Sequence, residues 1–152
     1  MAHNLNILKA IKSILVNDNT DVSATELCIH SYVGDKIYKS GVVAQPSALL
    51  PYITIDVIIN NNDLSLNLNR LESEVSMFVF YGQEQSDAIL KSNNCGWRVS
   101  ALLDRQIGTL NKVVADDIRF RLFDFVKFIE LFDEKNKIIY VKVIFNAIID
   151  IV

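Results

Sequence analysis

The sequence is poor in the residues on which most protein chemistry depends. Its 152 residues include two histidines, two cysteines, two prolines and five glycines, and no two glycines have the spacing that cradles a phosphate. Cys28 and His30 are two residues apart and Cys95 stands alone, which is not the spacing of a zinc site. A Cys–His pair that meets in space stays open as an alternative. We therefore expect no metal, no cofactor and no enzymatic activity.

Long apolar runs are also missing. A membrane span needs about 18 apolar residues, and the most apolar stretch, residues 138–152, is interrupted by Lys142, Asn146 and Asp150. Polar and apolar residues alternate over residues 3–8, which is not the core of a signal peptide. We expect a cytosolic chain without a membrane partner, in which both cysteines are reduced and partly buried.

Apolar residues are what the sequence has in excess. They make up 51% of the chain and charged residues 22%, which excludes intrinsic disorder. The mean hydropathy of +0.25 is high for a soluble monomer of this length, so either the core is large or partners cover apolar surface. A net charge of −3 argues against a general nucleic-acid binder but leaves room for a local basic patch. The length fits one domain over residues 1–152.

Helical spacing of apolar residues predicts three helices. They are expected over residues 4–16, 23–32 and 86–107. The second helix is predicted because Ser23 and Glu26 form a capping-box pattern, with Gly34 in position to end the helix.

The third helix is the least regular of the three. Ile89 belongs to its predicted apolar stripe. Asn93, Asn94 and Gly96 weaken its middle, so a kink or a division into two shorter helices is an alternative. Trp97 on this helix is expected in the core or at an interface.

Alternation of apolar and polar residues predicts the strands of a mostly antiparallel sheet. They are expected at Ile37 and Tyr38 and over residues 52–59, 71–81, 118–132 and 139–149. Residues 118–132 fit a helix as well, and both interpretations stay open. The predicted fold is α+β: a mostly antiparallel sheet with a long extended hairpin, packed by an N-terminal helix and one long central helix.

The hairpin over residues 52–81 has an unusual tip. Leu64, Leu66 and Leu68 alternate with polar residues, and the phase of the alternation then slips. One slip inside a long alternating run is typical of a bulge or a tip turn. The tip, at about residues 60–70, is predicted to form an arm that cannot bury its leucines alone. Leu64, Leu66, Leu68 and Arg70 are therefore candidate interface residues.

A second candidate interface is basic. Arg119, Arg121 and Lys127, with Phe123 and Phe125 between them, are predicted to share one face of a strand. Basic residues interleaved with aromatic residues can bind single-stranded nucleic acid. A half-exposed strand, or a subunit surface that pairs with a neighbour's acidic residues, is the simpler interpretation.

Acidic residues give one weak candidate for a metal site. Glu72 and Glu74 share a predicted strand face and could hold a cation together with Asp56. A solvated strand face is the simpler interpretation of the same residues.

The order of landmarks along the chain resembles that of the tail-completion and tail-terminator proteins of long-tailed bacteriophages. After an N-terminal helix, the landmarks are Val33-Gly34-Asp35-Lys36-Ile37-Tyr38, then Gln45-Pro46, then Pro51-Tyr52-Ile53-Thr54-Ile55-Asp56. A strand, a long helix and a C-terminal strand pair follow. Lys36 replaces the arginine usual in that family, which keeps the charge but loses the planar guanidinium.

The resemblance implies a structural role in the virion. It implies a ring, hexameric in the family, that forms on the last ring of the tail tube, stops tube polymerisation and offers a docking surface to the head-side connector. The implied partners are further copies of the chain, the tail tube protein and the connector, with DNA only as cargo passing through the ring. The implied location is the host cytoplasm during assembly and then the head-proximal end of the tail. Another small head–tail joining or tube-like protein, or a ligand-binding α+β module, are the alternatives.

Overall fold

The computed structural model describes residues 3–39, 50–59, 70–107, 113–115 and 118–151, and it describes side chains for residues 7–39, 50–59, 72–103 and 123–149. Within these ranges the chain forms three helices and six strands. The helices are α1 (His3–Val16), α2 (Ile29–Val33) and α3 (Ala88–Ile107). The strands are β1 (Ile37–Lys39), β2 (Tyr52–Ile59), β3 (Arg70–Gly82), β4 (Val113–Ala115), β5 (Ile118–Asp133) and β6 (Ile138–Ile151).

All six described strands belong to one sheet, in the order β1-β2-β3-β6-β5-β4. β1 is parallel to β2, and every other neighbouring pair is antiparallel. The three longest strands, β3, β6 and β5, contain 13, 14 and 16 residues and lie side by side. The fold is α+β with a mostly antiparallel sheet, as the alternation predicts.

Alternation also assigns the side chains of each strand to two faces of the sheet. On β6, Val141, Val143 and Phe145 are buried, whereas Lys142 between them is half-buried and Asn146 is exposed. α1 and α3 pack on the face that contains Val143, so we call it the helix-covered face. The other face is called the opposite face.

α1 is held by one apolar stripe. Ile7, Ile11 and Leu15 recur at helical spacing and are completely buried, and the helix packs mainly against β2. The buried hydroxyl of Tyr81 on β3 donates a hydrogen bond of 2.9 Å to the backbone carbonyl of Tyr32 in α2. Burial raises the pKa of this hydroxyl well above its ordinary value, so it stays protonated and keeps the bond.

α3 approaches the sheet closely at a glycine. A Cβ added at Gly96 would lie 2.7 Å from Cε2 of Phe128 and 2.9 Å from Cγ1 of Val141. Both distances are shorter than carbon atoms tolerate, so the missing side chain lets the helix backbone contact β5 and β6 directly. α3 runs from residue 88 to 107 as one continuous helix. The alternative of two shorter helices is wrong, and the glycine that weakens the helical pattern is required by packing.

The predicted pairing of the strand over residues 52–59 with the strand over residues 71–81 is confirmed, and it is antiparallel. Tyr52 is opposite Phe80 and Ile59 is opposite Ser73, eight paired positions in all. Ser73, Val75 and Met77 on β3 are buried on the helix-covered face, in the phase that the sequence predicts. The tip of the hairpin, with its leucines and its phase slip, lies outside the described residues.

The predicted start of the second helix is wrong. Ser23 Oγ accepts the backbone N–H of Glu26 at 3.0 Å, as in a capping box, but the N–H groups of Val22 and Ser23 both return to the carbonyl of Glu26 and close a turn. The helix begins at Ile29, whose N–H donates to Asp18 Oδ2 at 2.8 Å. The acceptor thus comes from eleven residues upstream. Gly34, at φ 64°, ends the helix as predicted.

Residues 118–132 form a strand, and the helical alternative is wrong. The strand continues to Asp133 and pairs with β6 along its length, with register shifts between Phe120 and Leu122 and between Phe125 and Lys127. These irregularities explain why the apolar residues of this segment follow no strict period of two.

Gly96→Ala should destabilise the protein, because the added methyl group must displace Phe128 or Val141 from a filled core. Overpacking of this kind costs about 1–3 kcal/mol, although alanine is the better helix former. Urea unfolding measures the change in the free energy of unfolding. Asn94→Ala, at an exposed position of the same helix, is the matched control and should be neutral or slightly stabilising. Equal stability of the two variants would contradict the close approach.

Candidate assembly surface

Exposed apolar side chains are concentrated on α3 and β5. Among the described side chains, eight large apolar residues are exposed, and six of them belong to these two elements. The six are Ile89, Leu90, Trp97, Val126, Leu131 and Phe132, and we call them the α3–β5 flank. Single exposed apolar residues are ordinary, but a concentration of this kind marks a surface that contacts another molecule.

A groove of about 1040 Å³ lies within this flank. The start of α3 forms one wall with Ile89 and Leu90, and the end of the β5–β6 hairpin forms the other with Phe132 and Ile139. Ile89 and Leu90 are 64% and 60% exposed, so the wall is open to solvent. The remaining lining includes the amides of Gln83, Gln85 and Asn93 and two carboxylates, those of Asp87 and Glu130.

Trp97 lies on the same side of the molecule. Its ring is parallel to that of Phe128, with 4.3 Å between centroids and 4° between planes, and it also contacts Phe125. The residue is nevertheless 52% exposed. Of the two predicted positions, core and interface, the core is therefore wrong. A rigid, half-exposed tryptophan is a common anchor of protein interfaces.

β5 also presents an unpaired backbone edge. β4 pairs only with Ile118 and Arg119. Along the remainder of β5, no strand in the described ranges pairs with the side that faces away from β6. An edge of this length is a template for pairing with another chain. The register shift at Val126 and the exposed side chain of Lys127 interrupt it and so restrict which partner strand can pair.

A buried ion pair fixes α3 to the loop before α2. The guanidinium of Arg98 donates from Nε to Asp18 Oδ2 at 2.9 Å and from Nη2 to Asp18 Oδ1 at 2.6 Å. Its Nη1 donates to Glu26 Oε1 at 3.3 Å. The side chains of Arg98 and Asp18 are 6% and 8% exposed. The hydrogen bond to Asp18 raises the pKa of Arg98, so the guanidinium stays charged in this position.

The same loop is ordered by a second aspartate. Asp21 Oδ1 accepts the backbone N–H of Cys28 and the hydroxyl of Ser31, both at 2.8 Å. Both hydrogen bonds lower the pKa of the Asp21 carboxyl below its ordinary value, and the bond from Cys28 contributes more than the bond from Ser31. Together with the Arg98–Asp18 pair, these bonds give α3 a fixed position, so the apolar wall on its outer side is preorganised.

Aromatic rings cover one end of the opposite face. Phe80 lies between Tyr52, at 4.9 Å between centroids, and Tyr140, at 5.4 Å. Phe78 extends the cluster, and the ammonium of Lys142 lies 5.4 Å from the centre of its ring. The rings largely cover one another, so this cluster contributes to the stability of the sheet as well as to its surface.

The predicted arm residues are only partly described. Leu64, Leu66 and Leu68 lie outside the described residues. Arg70 is the first residue of β3, and its backbone pairs with that of Asp150 on β6. The side chain of Arg70 lies outside the described range.

The prediction that Lys127 shares one face of β5 with Phe123 and Phe125 is wrong, and the side chains of Arg119 and Arg121 lie outside the described range. Phe123 and Phe125 are opposite Ala147 and Phe145, on the helix-covered face, whereas the register shift places Lys127 opposite Ile144, on the opposite face. Arg119 pairs with Asp150, and Arg121 falls at the first register shift. The register shift at Val126 therefore separates Lys127 from Phe123 and Phe125, which a regular strand would bring to the same face.

The weaker chemical candidates have ordinary surroundings. Cys28 and Cys95 are buried and free. Cys28 Sγ is 3.3 Å from the Ser31 hydroxyl, and His30 Nδ1 is 3.4 Å from Asp35, so the described contacts do not join a cysteine to a histidine. Burial raises the pKa of Cys95 well above its ordinary value, which disfavours the nucleophilic thiolate.

The predicted acidic strand face is confirmed, and its residues are solvated. Asp56 and Glu74 are half-buried, and Glu72 is exposed. Among the described residues, no group of three histidine, cysteine or acidic side chains is placed to hold a metal ion. None of the described helices combines the length and the apolar content that crossing a bilayer requires.

The groove was not predicted from the sequence, and the prediction for Ile89 was wrong. The buried apolar stripe of α3 includes Ala88, Cys95, Val99 and Leu103, and Ile89 is about 100° from Ala88 around the helix, beyond the edge of this stripe. The sequence did contain a signal for a second apolar side of α3. Leu90 and Trp97 are seven residues, about two turns, apart and therefore lie on the same side of the helix.

The comparisons with known proteins give one informative result. No protein-family model matches the sequence, and no curated protein matches it. Among solved structures, a chain of a structure described as "Virion of native gene transfer agent (GTA) particle" is similar over 95% of this chain and 95% of that chain, with a TM-score of 0.65. This protein has the fold of that virion chain. The sequences are 16% identical, so the similarity concerns the fold.

Arg98→Met should strongly destabilise the protein, because it leaves the buried Asp18 carboxylate without its counter-charge. Breaking a buried ion pair from one side costs about 3–5 kcal/mol, and chemical denaturation followed by circular dichroism measures the loss. Arg98→Lys keeps the charge but loses the planar two-bond contact, and its loss should be intermediate. A loss for Arg98→Met no larger than that for a control on the same helix, the half-buried Lys91→Met, would refute this role.

Proposed function

We propose that this chain is a structural protein of a phage-like particle and that it acts as a tail terminator. The observation that carries the proposal is the fold similarity to a chain of the gene transfer agent virion, which extends over 95% of both chains. The landmarks that resemble the tail-terminator family support the finer assignment. The α3–β5 flank supports a role in assembly, because it supplies an apolar surface for a partner to cover.

In the proposed mechanism, copies of the chain form a ring of six. Each copy uses one surface to contact the next copy and a different surface to contact the previous one, and such head-to-tail contacts close when the rotation per copy is a fixed fraction of a turn. The apolar flank supplies buried area, and the free edge of β5 supplies backbone hydrogen bonds. The bulge and Lys127 restrict the register of that pairing, which helps to define a single angle between copies.

The ring stops growth because its two sides differ. One side binds the last ring of the tail tube, and the other binds the head-side connector rather than another ring of tube protein. DNA passes through the ring without sequence-specific contacts. We place the chain in the host cytoplasm during assembly and at the head-proximal end of the tail afterwards.

We also propose that the role is structural and not catalytic. The ionisable groups of the buried network, Arg98 and Asp18 with Glu26, are engaged with one another and hold the fold. Cys95, the most deeply buried thiol, has a raised pKa and faces the core. The features of the described surface that call for a partner are apolar, and they fit a protein chain better than a reacting substrate.

The groove is the observation that favours a second candidate, a ligand-binding module. Its volume of about 1040 Å³ is at the upper end for small-molecule sites. Its open shape and exposed walls fit a peptide segment better. A ligand-binding module would remain monomeric in solution, and a tube-like protein would form long polymers, so the size of the assembly separates both from a terminator.

Light scattering after size exclusion, together with electron microscopy on purified tail tubes, tests the proposal. We expect a ring of defined size, either alone or on the tube end, and a Leu90→Gln variant that folds but assembles poorly. Loss of an apolar interface anchor costs more than 1 kcal/mol, so the affinity between copies should fall about tenfold. Leu90 is already 60% exposed in the single chain, so stability should change little.

Val22→Gln is the matched control. Val22 is 55% exposed, similar to Leu90, but it lies in the loop before α2 and does not line the groove. Its assembly should match that of the unchanged protein. A stable monomer that never associates with tubes would remove the proposal. An equal effect of the two variants would show that the flank is not the contact surface.

A further inference from the structure

The groove lies at one end of the sheet, and the two strands that residues 60–69 connect end at the other. The groove is at the end where Tyr81 pairs with Ile139, close to Phe132. The hairpin tip begins at the other end, where Ile59 pairs with Ser73. Residues 60–69 connect Ile59 to Arg70 and contain the three alternating leucines. Each molecule thus has an apolar groove at one end of the sheet, and the described chain leads into the leucine-containing segment from the other end.

A molecule cannot fill its own groove with these leucines. From Ser73 to Tyr81 the strand advances eight residues, which is about 26 Å. A fully extended chain spans at most about 3.5 Å per residue. Leu64 is five residues from Ile59, and Leu66 is four residues from Arg70, so neither reaches farther than about 18 Å from where the described strands end. These leucines can therefore reach such a groove only on another molecule.

The chemistry of the segment fits that of the groove. Side chains at alternate positions of an extended segment lie on one side, so the three leucines can face the apolar walls together. The lining carries two carboxylates and no basic group, and residues 64–69 carry no charge at all. The segment therefore enters without placing a like charge beside Asp87 or Glu130. The amides of the lining can bond the backbone of the extended segment.

We propose that the leucines at positions 64, 66 and 68 of one copy pack into the α3–β5 groove of the next copy. This inference rests on the proposed function, since it requires a homo-oligomer, and it names the contact that joins the copies. Donor and acceptor are different surfaces at opposite ends of the molecule, which is the geometry of a head-to-tail ring. It also explains why Ile89 and Leu90 are exposed in a single chain.

Disulfide cross-linking between two differently tagged full-length variants tests the contact. One variant carries Leu66→Cys and the other Leu90→Cys, so a bond between the two positions can form only between copies. A disulfide requires Cα atoms within about 7 Å. The native thiols, Cys28 and Cys95, are 1% and 0% exposed and stay out of the reaction. We expect a covalent heterodimer that mass spectrometry assigns to positions 66 and 90.

The control replaces the acceptor by Val22→Cys, at an exposed apolar residue outside the groove. This mixture should give little heterodimer. A second pair, Leu68→Cys with Ile89→Cys, covers the case in which one substitution prevents assembly. Equal cross-linking to Val22→Cys would overturn the proposal, because the contact would then be non-specific.

Light scattering on the same samples separates this proposal from the proposed function. An oligomer without a cross-link in either pair would overturn the groove contact and leave the terminator role standing. Failure to form any oligomer, with or without tail tubes, would remove both. A cross-link from position 90 to the tube protein would identify a different occupant and would also overturn the contact between copies. Deletion of residues 61–69 should abolish the oligomer while the domain stays folded.

Discussion

The close contact between α3 and the sheet is the constraint on which the remainder of the structure depends. Because residue 96 has no side chain, the helix backbone lies directly on Phe128 and Val141. One side of the helix is thereby filled with core contacts, and Arg98 fixes its rotation by pairing with Asp18. The residues on the other side have no freedom to turn inward. Leu90 and Trp97 are exposed for this reason, and not because the core lacks room in general.

Much of the fold follows from local periodicity. On β2, β3 and β6 the alternation has no slip among the described side chains, and these lie on the faces that the pattern predicts. β5 differs because two register shifts change the phase, and no local signal marks where a bulge falls. The second helix begins later than predicted because its N-terminal acceptor is Asp18, which is distant in sequence. A local sequence pattern predicts an element correctly where the residues that stabilise the element are close to it in sequence.

The candidate surface was harder to predict than the fold. The groove brings residues near position 90 together with residues near position 132, and only the folded sheet determines that distance. The sequence does indicate that apolar surface is in excess, and it identifies leucines that need a partner. It does not identify the acceptor. Arg98 shows the same limitation, since its partner Asp18 is 80 residues away and neither residue belongs to a recognisable motif.

The stacking of Trp97 on Phe128 has a spectroscopic consequence. Trp97 is the one tryptophan of the chain, and it is half-exposed on the flank. Indole emission shifts to shorter wavelength when water leaves the ring, and the rigid stack excludes large changes from side-chain rotation. The intrinsic fluorescence of the unmodified protein therefore reports whether this side of the molecule is exposed to water or covered by a partner, and the measurement requires no label.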